Sequence, residues 1–431
     1  AIIAFIIAAV LCGFVGMAYA ELTPALPLAG GSMVWCYRAS GYKFAWFSGW
    51  AIAFAYVAVA AWEGPAFASA VAYLIPLPEV GFLWNIAGFD VYVPFIIVSM
   101  AGTIFTMFCH YRGLKFAAIF NTIAAIALVA GGVIFFLGGV TLGDIANAAP
   151  AIRDGFGGIS IVLVAAPAMF VGFDVIPQAS EEMDYPIRQV GILVLFAIFL
   201  GVLWYIMMIV GTAFAAPADF LESASIPLAD AASYVFNSKI FGTFIIIAGI
   251  GGILTSWNAM FVGSTRILFS MSRAKMLPTV FSKLHPKYGS PTAAITLVGV
   301  LGLISPLLGK NALGWFVDAS SFGTVVAYLT VSISFVMLRK KEPELKRPWK
   351  APGGYFTGFM AIVSCLFFIV LYLPIGPGAL EWPYEWGMVL LWVIIGIILV
   401  IVNKIQFGTV TDAERELLLF GEEYARPEKL K

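Results

Sequence analysis

FVGFDVIPQASEEMDYP, residues 170–186, decides how this chain is read. It follows an apolar lead-in, Ile159 to Met169, with the hydropathy of the first half of a membrane-spanning helix. Gly172, Asp174 and Pro177 then arrive within six residues. A lipid-facing helix carries none of these lightly. Glycine loosens the backbone, proline removes a hydrogen-bond donor, and an acid in hydrocarbon costs a few kcal/mol or more. Either the segment is no span, or its helix is interrupted for a purpose.

Composition favours the second reading. Of 431 residues, 61% are hydrophobic and 11% charged, whereas a soluble domain has about a quarter charged. The chain is therefore an integral membrane protein. Its formal net charge is zero, which gives no sign of a nucleic-acid partner. Cys12, Cys36, Cys109 and Cys365 are scattered without paired or metal-type spacing. The histidines, His110 and His285, are placed in loops and read as solvated rather than as metal ligands. No metal site or cofactor is implied.

A bilayer core needs about 20 apolar residues in a helix. On that basis eleven spans are predicted, at 1–20, 45–74, 91–109, 116–139, 160–180, 189–214, 241–271, 292–309, 314–338, 357–374 and 384–404. The side reached after each odd-numbered span holds roughly 20 of the 24 lysines and arginines, and the other side about 3. The richer side, with Arg38, Lys43, Arg112, Lys115, Arg273 and the run at 339–350, is read as cytoplasmic. Residues 1–404 form the membrane domain and 405–431 a cytoplasmic tail. There, Thr411 and Glu414 have capping-box spacing ahead of an apolar run, which predicts a short amphipathic helix. The first residue already lies inside an apolar run, and the expectation is that the chain begins late.

Five stretches together are similar to one family. AYAELTPALPLAGGS (18–32), YRGLK (111–115), FVGFDVIPQASEEMDYP (170–186), STRILFSMSRAKMLP (264–278) and RKKEPELKRPWKAPGG (339–354) occur in order and at matching intervals. They resemble the amino acid–polyamine–organocation superfamily of transporters, amino acid permease type. The resemblance covers nearly the whole chain. It implies an all-α leucine-transporter-type fold: a five-plus-five inverted repeat plus two C-terminal helices. By that pattern the chain runs from the second to the twelfth helix and lacks the first. It also implies a multi-pass protein of the cytoplasmic (inner) membrane with a cytoplasmic C-terminus. The function implied is secondary active transport of an amino acid by alternating access.

The same resemblance places the substrate at mid-membrane beside the broken helix. Phe170, Val171, Gly172 and Phe173 are the substrate-binding candidates there; the alternative is a proline-kinked packing helix with core phenylalanines. Asp174 is a candidate coupling acid or amine partner, against a cap for freed backbone N–H groups. Glu63, beside Gly64 and Pro65 in the second span, is a second candidate for substrate binding and coupling. Its alternative is a hydrogen bond to backbone freed by Pro65. Glu181 and Glu182, with Asp184, stand at the cytoplasmic exit as gate candidates with Arg38 or Lys115. Thr255 and Ser256 are candidate sodium ligands, although such hydroxyls commonly bond back to their own helix. Some relatives carry a coupling lysine in the family's fifth helix, and the matching position here is near Leu128. Acids therefore favour a proton over sodium. A half-helix terminus suits a carboxylate and two acids suit an amine, which points to an amino acid with a cationic one in view. A polyamine or amino-alcohol carrier is the alternative within the fold; a channel or membrane enzyme is the alternative outside it. The partners implied are a small-molecule substrate and the bilayer, with a homo-oligomer left open.

Overall fold

The computed structural model describes residues 2–113, 115–149, 155–178, 186–310 and 312–426. Glu181, Glu182 and Asp184 lie outside these. In chain order the helices are α1 (Ile2–Ala25), α2 (Ser32–Ser40), α3 (Tyr42–Leu74), α4 (Val93–Arg112), α5 (Lys115–Leu142), α6 (Gly155–Phe170), α7 (Ile187–Ala215), α8 (Ala218–Ser223), α9 (Pro227–Val235), α10 (Lys239–Arg273), α11 (Thr292–Ile304), α12 (Ala312–Lys341), α13 (Tyr355–Tyr372), α14 (Tyr384–Phe407) and α15 (Asp412–Tyr424). An antiparallel hairpin, β1 (Phe82–Ile86) and β2 (Phe89–Tyr92), joins α3 to α4.

Among the described residues ten helical segments are long and apolar enough to cross a membrane, one of them, Gly157–Val175, running through α6 and the turn after it. Residues 292–308, one of the eleven predicted spans, form a shorter apolar helix that ends in a 3-10 turn. Burial sorts the long helices. In α3, 78% of the most apolar window is buried, against 17% in α7 and α14. So α3, packed on α10 and α12, is an axis of the bundle, while α7 and α14 turn most of their apolar surface outward, as lipid-facing helices must.

One end of the bundle is tied by ion pairs. Glu21, fully buried at the end of α1, meets Arg339 of α12 and Arg347 just beyond it, and accepts the Ala351 N–H at 2.8 Å. Arg38 of α2 binds Glu342 at 2.8 Å and Glu416 of α15 at 3.5 Å, and Arg426 closes the square onto Glu416 at 2.8 Å. The Thr411 hydroxyl accepts the Glu414 N–H at 3.2 Å, so α15 begins at the predicted cap. The Tyr37 phenol donates to the Asp412 carbonyl at 3.2 Å. Burial, with Asp412 adding to it, pushes that phenol up to about 12, so it stays a donor at any physiological pH.

One placement is corrected. His110 is neither in a loop nor solvated. It belongs to the last turn of α4, is buried, and stacks on Phe261 of α10 with ring centroids 4.9 Å apart. α4 continues past its apolar stretch because His110 has an aromatic face to pack on. His285 does lie between helices, stacked on Tyr288.

Candidate functional site

The interruption lies where glycine and acid occur together. α6 ends at Phe170, Gly172 has φ 137° and ψ −40°, and a 3-10 turn covers Phe173–Val175. Such a φ is open to glycine and strained for other residues. Two freed backbone groups find side-chain partners. The Gly172 N–H donates to Asp174 Oδ1 at 2.8 Å, and the Met169 carbonyl accepts from the Tyr205 hydroxyl at 2.9 Å. Asp174 is fully buried, and its second oxygen accepts from the Tyr56 hydroxyl at 2.8 Å. Asp174 thus caps the break and ties it to α3.

Around Asp174 is a polar enclave in an otherwise apolar core. The hydroxyls of Tyr19, Tyr328 and Ser32 and the Gln178 carboxamide are buried here without a well-formed hydrogen bond among the described residues, although Tyr328 comes near Asp174, Ser32 near Tyr19 and Gln178 near Tyr56. Tyr19, Phe173 and Tyr328 pack ring to ring at 5.4–5.6 Å. Buried polar groups are nearly always bonded, so loosely bonded ones gathered around one carboxylate mark a place where bonding can change. On its far side, Gly31 lies close to Pro177 and Gln178, bringing the Gly30–Gly31 turn before α2 under the broken segment.

Toward α5 and α7 the break opens on a cavity of about 580 Å³ that is itself open to the outer surface, where Val129, Leu200 and Leu203 on its walls are exposed. Phe170, Val171, Gly172 and Phe173 form one wall; Val133, Ile198 and Trp204 are on the others. Among the described residues, no atom beyond its own chain neighbours lies within 4 Å of where a Gly172 Cβ would stand. Phe170 also packs edge-on against Phe5 and Tyr205. The four sequence candidates are thus brought together, while Asp174 and Glu63 do not line this cavity.

Glu63 is buried in α3, where the Ser256 hydroxyl and Trp62 come within hydrogen-bonding reach and Tyr205 within electrostatic reach. It does not serve the backbone that Pro65 frees. That group is the Ala61 carbonyl, and it accepts from the Ser305 hydroxyl at 2.6 Å. Thr255 donates to its own helix at Gly252, 2.8 Å away, while Ser256 faces Glu63. Thr255 and Ser256 therefore point to different partners. Leu128 packs against Gly252 at the α5–α10 contact. Arg38, a proposed gate partner, is engaged with Glu342 and Glu416.

A family model described as amino acid permease matches residues 1–403. The chain belongs to that family. It is a multi-pass membrane transporter of the amino acid–polyamine–organocation type, and not an enzyme. The branched-chain amino acid permease BcaP of Bacillus subtilis (strain 168) is 27% identical over 85% of this chain and 80% of its own length. The methylthioribose transporter of the same organism is 26% identical with the same coverage. The cationic amino acid transporter 4 of Mus musculus is 27% identical over 82% of this chain and 56% of its own. In this permease, Tyr56 and Tyr205 bond the interrupted segment and Ser305 bonds α3, partnerships that sequence reasoning missed. Tyrosine and serine are common in spans, and only folding shows which of them reach an interrupted helix. Ser305 stands 244 positions from the carbonyl it satisfies.

Proposed function

We propose that this permease is a proton-coupled carrier of neutral amino acids with apolar side chains. It alternates access around Gly172, on a five-plus-five repeat with eleven spans in this chain and the tail on the cytoplasmic side. The observation that carries the substrate is the cavity at the break. Its walls are largely apolar, and Gly172 presents a bare Cα face to it. A substrate's own backbone can approach there as no side-chain-bearing residue would allow, with its apolar side chain against Phe170, Ile198 and Trp204. The cationic reading loses support from the acids. Both Asp174 oxygens already have donors, and neither acid lines the cavity.

Asp174 is the coupling acid in this reading. It caps the break, so its bonds change whenever the broken segment moves. A carboxyl that alternates between closed burial and contact with water changes its proton affinity. The loosely bonded hydroxyls of Tyr19, Tyr328 and Ser32 and the Gln178 amide supply a polar path from it toward α2. The test is uptake into proteoliposomes with the lumen made alkaline. Labelled leucine should accumulate and be displaced by isoleucine and valine but not by arginine, and dissipating the gradient should abolish accumulation. Arginine accumulation untouched by excess leucine would return the cationic reading. Leucine uptake indifferent to the gradient would remove the proton.

A further inference from the structure

A second cavity lies away from the break, where α4 ends, α11 begins and α10 passes between them. It encloses about 330 Å³. Its walls carry groups suited to an anion. His110, within a tenth of full burial, lines it, and its Nε2 has no partner among the described residues. Arg266 lines it as well, seven residues before the end of α10 at Arg273, about 10 Å below that end by helical rise. Arg266 already has an interaction of its own, and with five donors its guanidinium can meet an anion in the cavity as well.

The ends of two helices set the polarity. Ser290 and Pro291 on the cavity wall lead into α11, whose first N–H groups have no side-chain cap. That is the positive end of the helix dipole. The end of α4 would bring carbonyls of the opposite sign, but the Ser290 hydroxyl donates to the Tyr111 carbonyl at 3.0 Å and engages one of them. At the rim, Arg112 is exposed and lies over the rings of Phe108 and Tyr288 at 5.0 and 5.7 Å.

The surface that runs from this rim along α4 is greasy. Ile104, Phe105 and Phe108 are each more than half exposed. A bilayer protein with a cationic cavity at the head of an apolar stripe matches a molecule with an anionic head and hydrocarbon chains. We infer that the cavity bounded by His110, Arg266, Ser290 and Tyr288 binds the phosphate of an anionic phospholipid, with its acyl chains along Ile104, Phe105 and Phe108. His110 and Arg266 donate to the phosphate oxygens, the α11 terminus adds its dipole, and Arg112 holds the rim. Because α4, α10 and α11 meet here, bound lipid ties together helices that also pack on α3.

The experiment uses the purified full chain in a neutral detergent. Its thermal midpoint and the lipids it retains under native mass spectrometry are followed as phosphatidylglycerol, phosphatidylcholine or inorganic phosphate is added. Phosphatidylglycerol should raise the midpoint and remain as a discrete adduct; phosphatidylcholine and inorganic phosphate should do neither. His110→Phe keeps the stack on Phe261 but removes the donor, and should weaken the phosphatidylglycerol effect about tenfold while leaving the lipid-free midpoint within a few degrees. Arg112→Gln, at the exposed rim, should weaken it less. Arg266→Lys keeps the charge and should retain part of the effect that Arg266→Gln loses. An equal response in wild type and His110→Phe would overturn the site. So would an equal response to the two lipids, or a shift of the same size with inorganic phosphate, which would mark a free-anion site instead.

Discussion

Two helices in this permease meet a residue that disfavours helix, Pro65 within α3 and Gly172 just past α6, and they behave differently. α3 carries Pro65 and remains helical from Tyr42 to Leu74. α6 ends at Phe170, short of Pro177, and the chain turns at Gly172. The difference is where replacement bonding comes from. In α3 the freed Ala61 carbonyl is met by Ser305 from outside the helix, so the helical path is kept. Just past α6 the Gly172 N–H is met by Asp174, two residues along the same stretch of chain, and that bond holds the non-helical path instead. A helix breaker is thus only a permission; the partner of the freed backbone group decides whether helix or turn results.

The sharpest way to break this comparison is Gly172→Val. Space for the side chain exists, but φ 137° is closed to a β-branched residue, at a cost of about 1–3 kcal/mol. The turn must change, and uptake should fall at least tenfold while the protein still inserts and stays monodisperse. Wild-type uptake would show that the turn is not the site. Asp174→Asn comes next. The amide oxygen can still accept from Gly172, so the cap and the folded protein should survive, while uptake driven by a pH gradient is lost and exchange across the membrane persists. A variant that still concentrates substrate along the gradient would remove Asp174 from coupling.

Ser305→Ala should act in the opposite way. It strands the buried Ala61 carbonyl, at a cost of about 1–3 kcal/mol, and should lower the thermal midpoint while leaving substrate affinity near wild type. If affinity falls instead, α3 is positioning the site through this bond. The smallest effect is expected from Pro65→Ala. It returns an N–H to a carbonyl that Ser305 already satisfies, so midpoint and uptake should both stay near wild type. A large loss would mean that the proline shapes α3 by more than its missing donor.

Much of this was legible in the sequence. The glycine–acid–proline run marked the interruption, and the predicted spans overlap apolar helices, though the one at 160–180 is helical only to Phe170 and the one at 292–309 is short, because hydrophobic length and the backbone's need for internal bonding leave few alternatives. The capping residues of α15 were legible for a similar reason: Thr411 and Glu414 are local to the helix they start. The shorter elements outside the spans were not. α2, α8, α9 and the β1–β2 hairpin have no membrane to enforce a length and are fixed by what they pack on. Partnerships were the least legible. Nothing in the spacing told that Asp174 would bond Tyr56 of α3, that Thr255 would bond its own helix while Ser256 faces Glu63, or that His110 would find an aromatic face on α10.

The buried Glu21 with Arg339 and Arg347 has one more consequence. It stitches the end of α1 to the end of α12 and the segment after it, with the Ala351 N–H as a further stitch. A carboxylate enclosed by two guanidiniums cannot let one go without leaving a charge stranded. Those ends should therefore travel as one piece through the transport cycle. Spin labels placed on them should report a single, narrow separation with or without substrate, while labels reporting on the Gly172 segment broaden or shift. The pair then serves as a fixed ruler against which any motion of the permease can be measured.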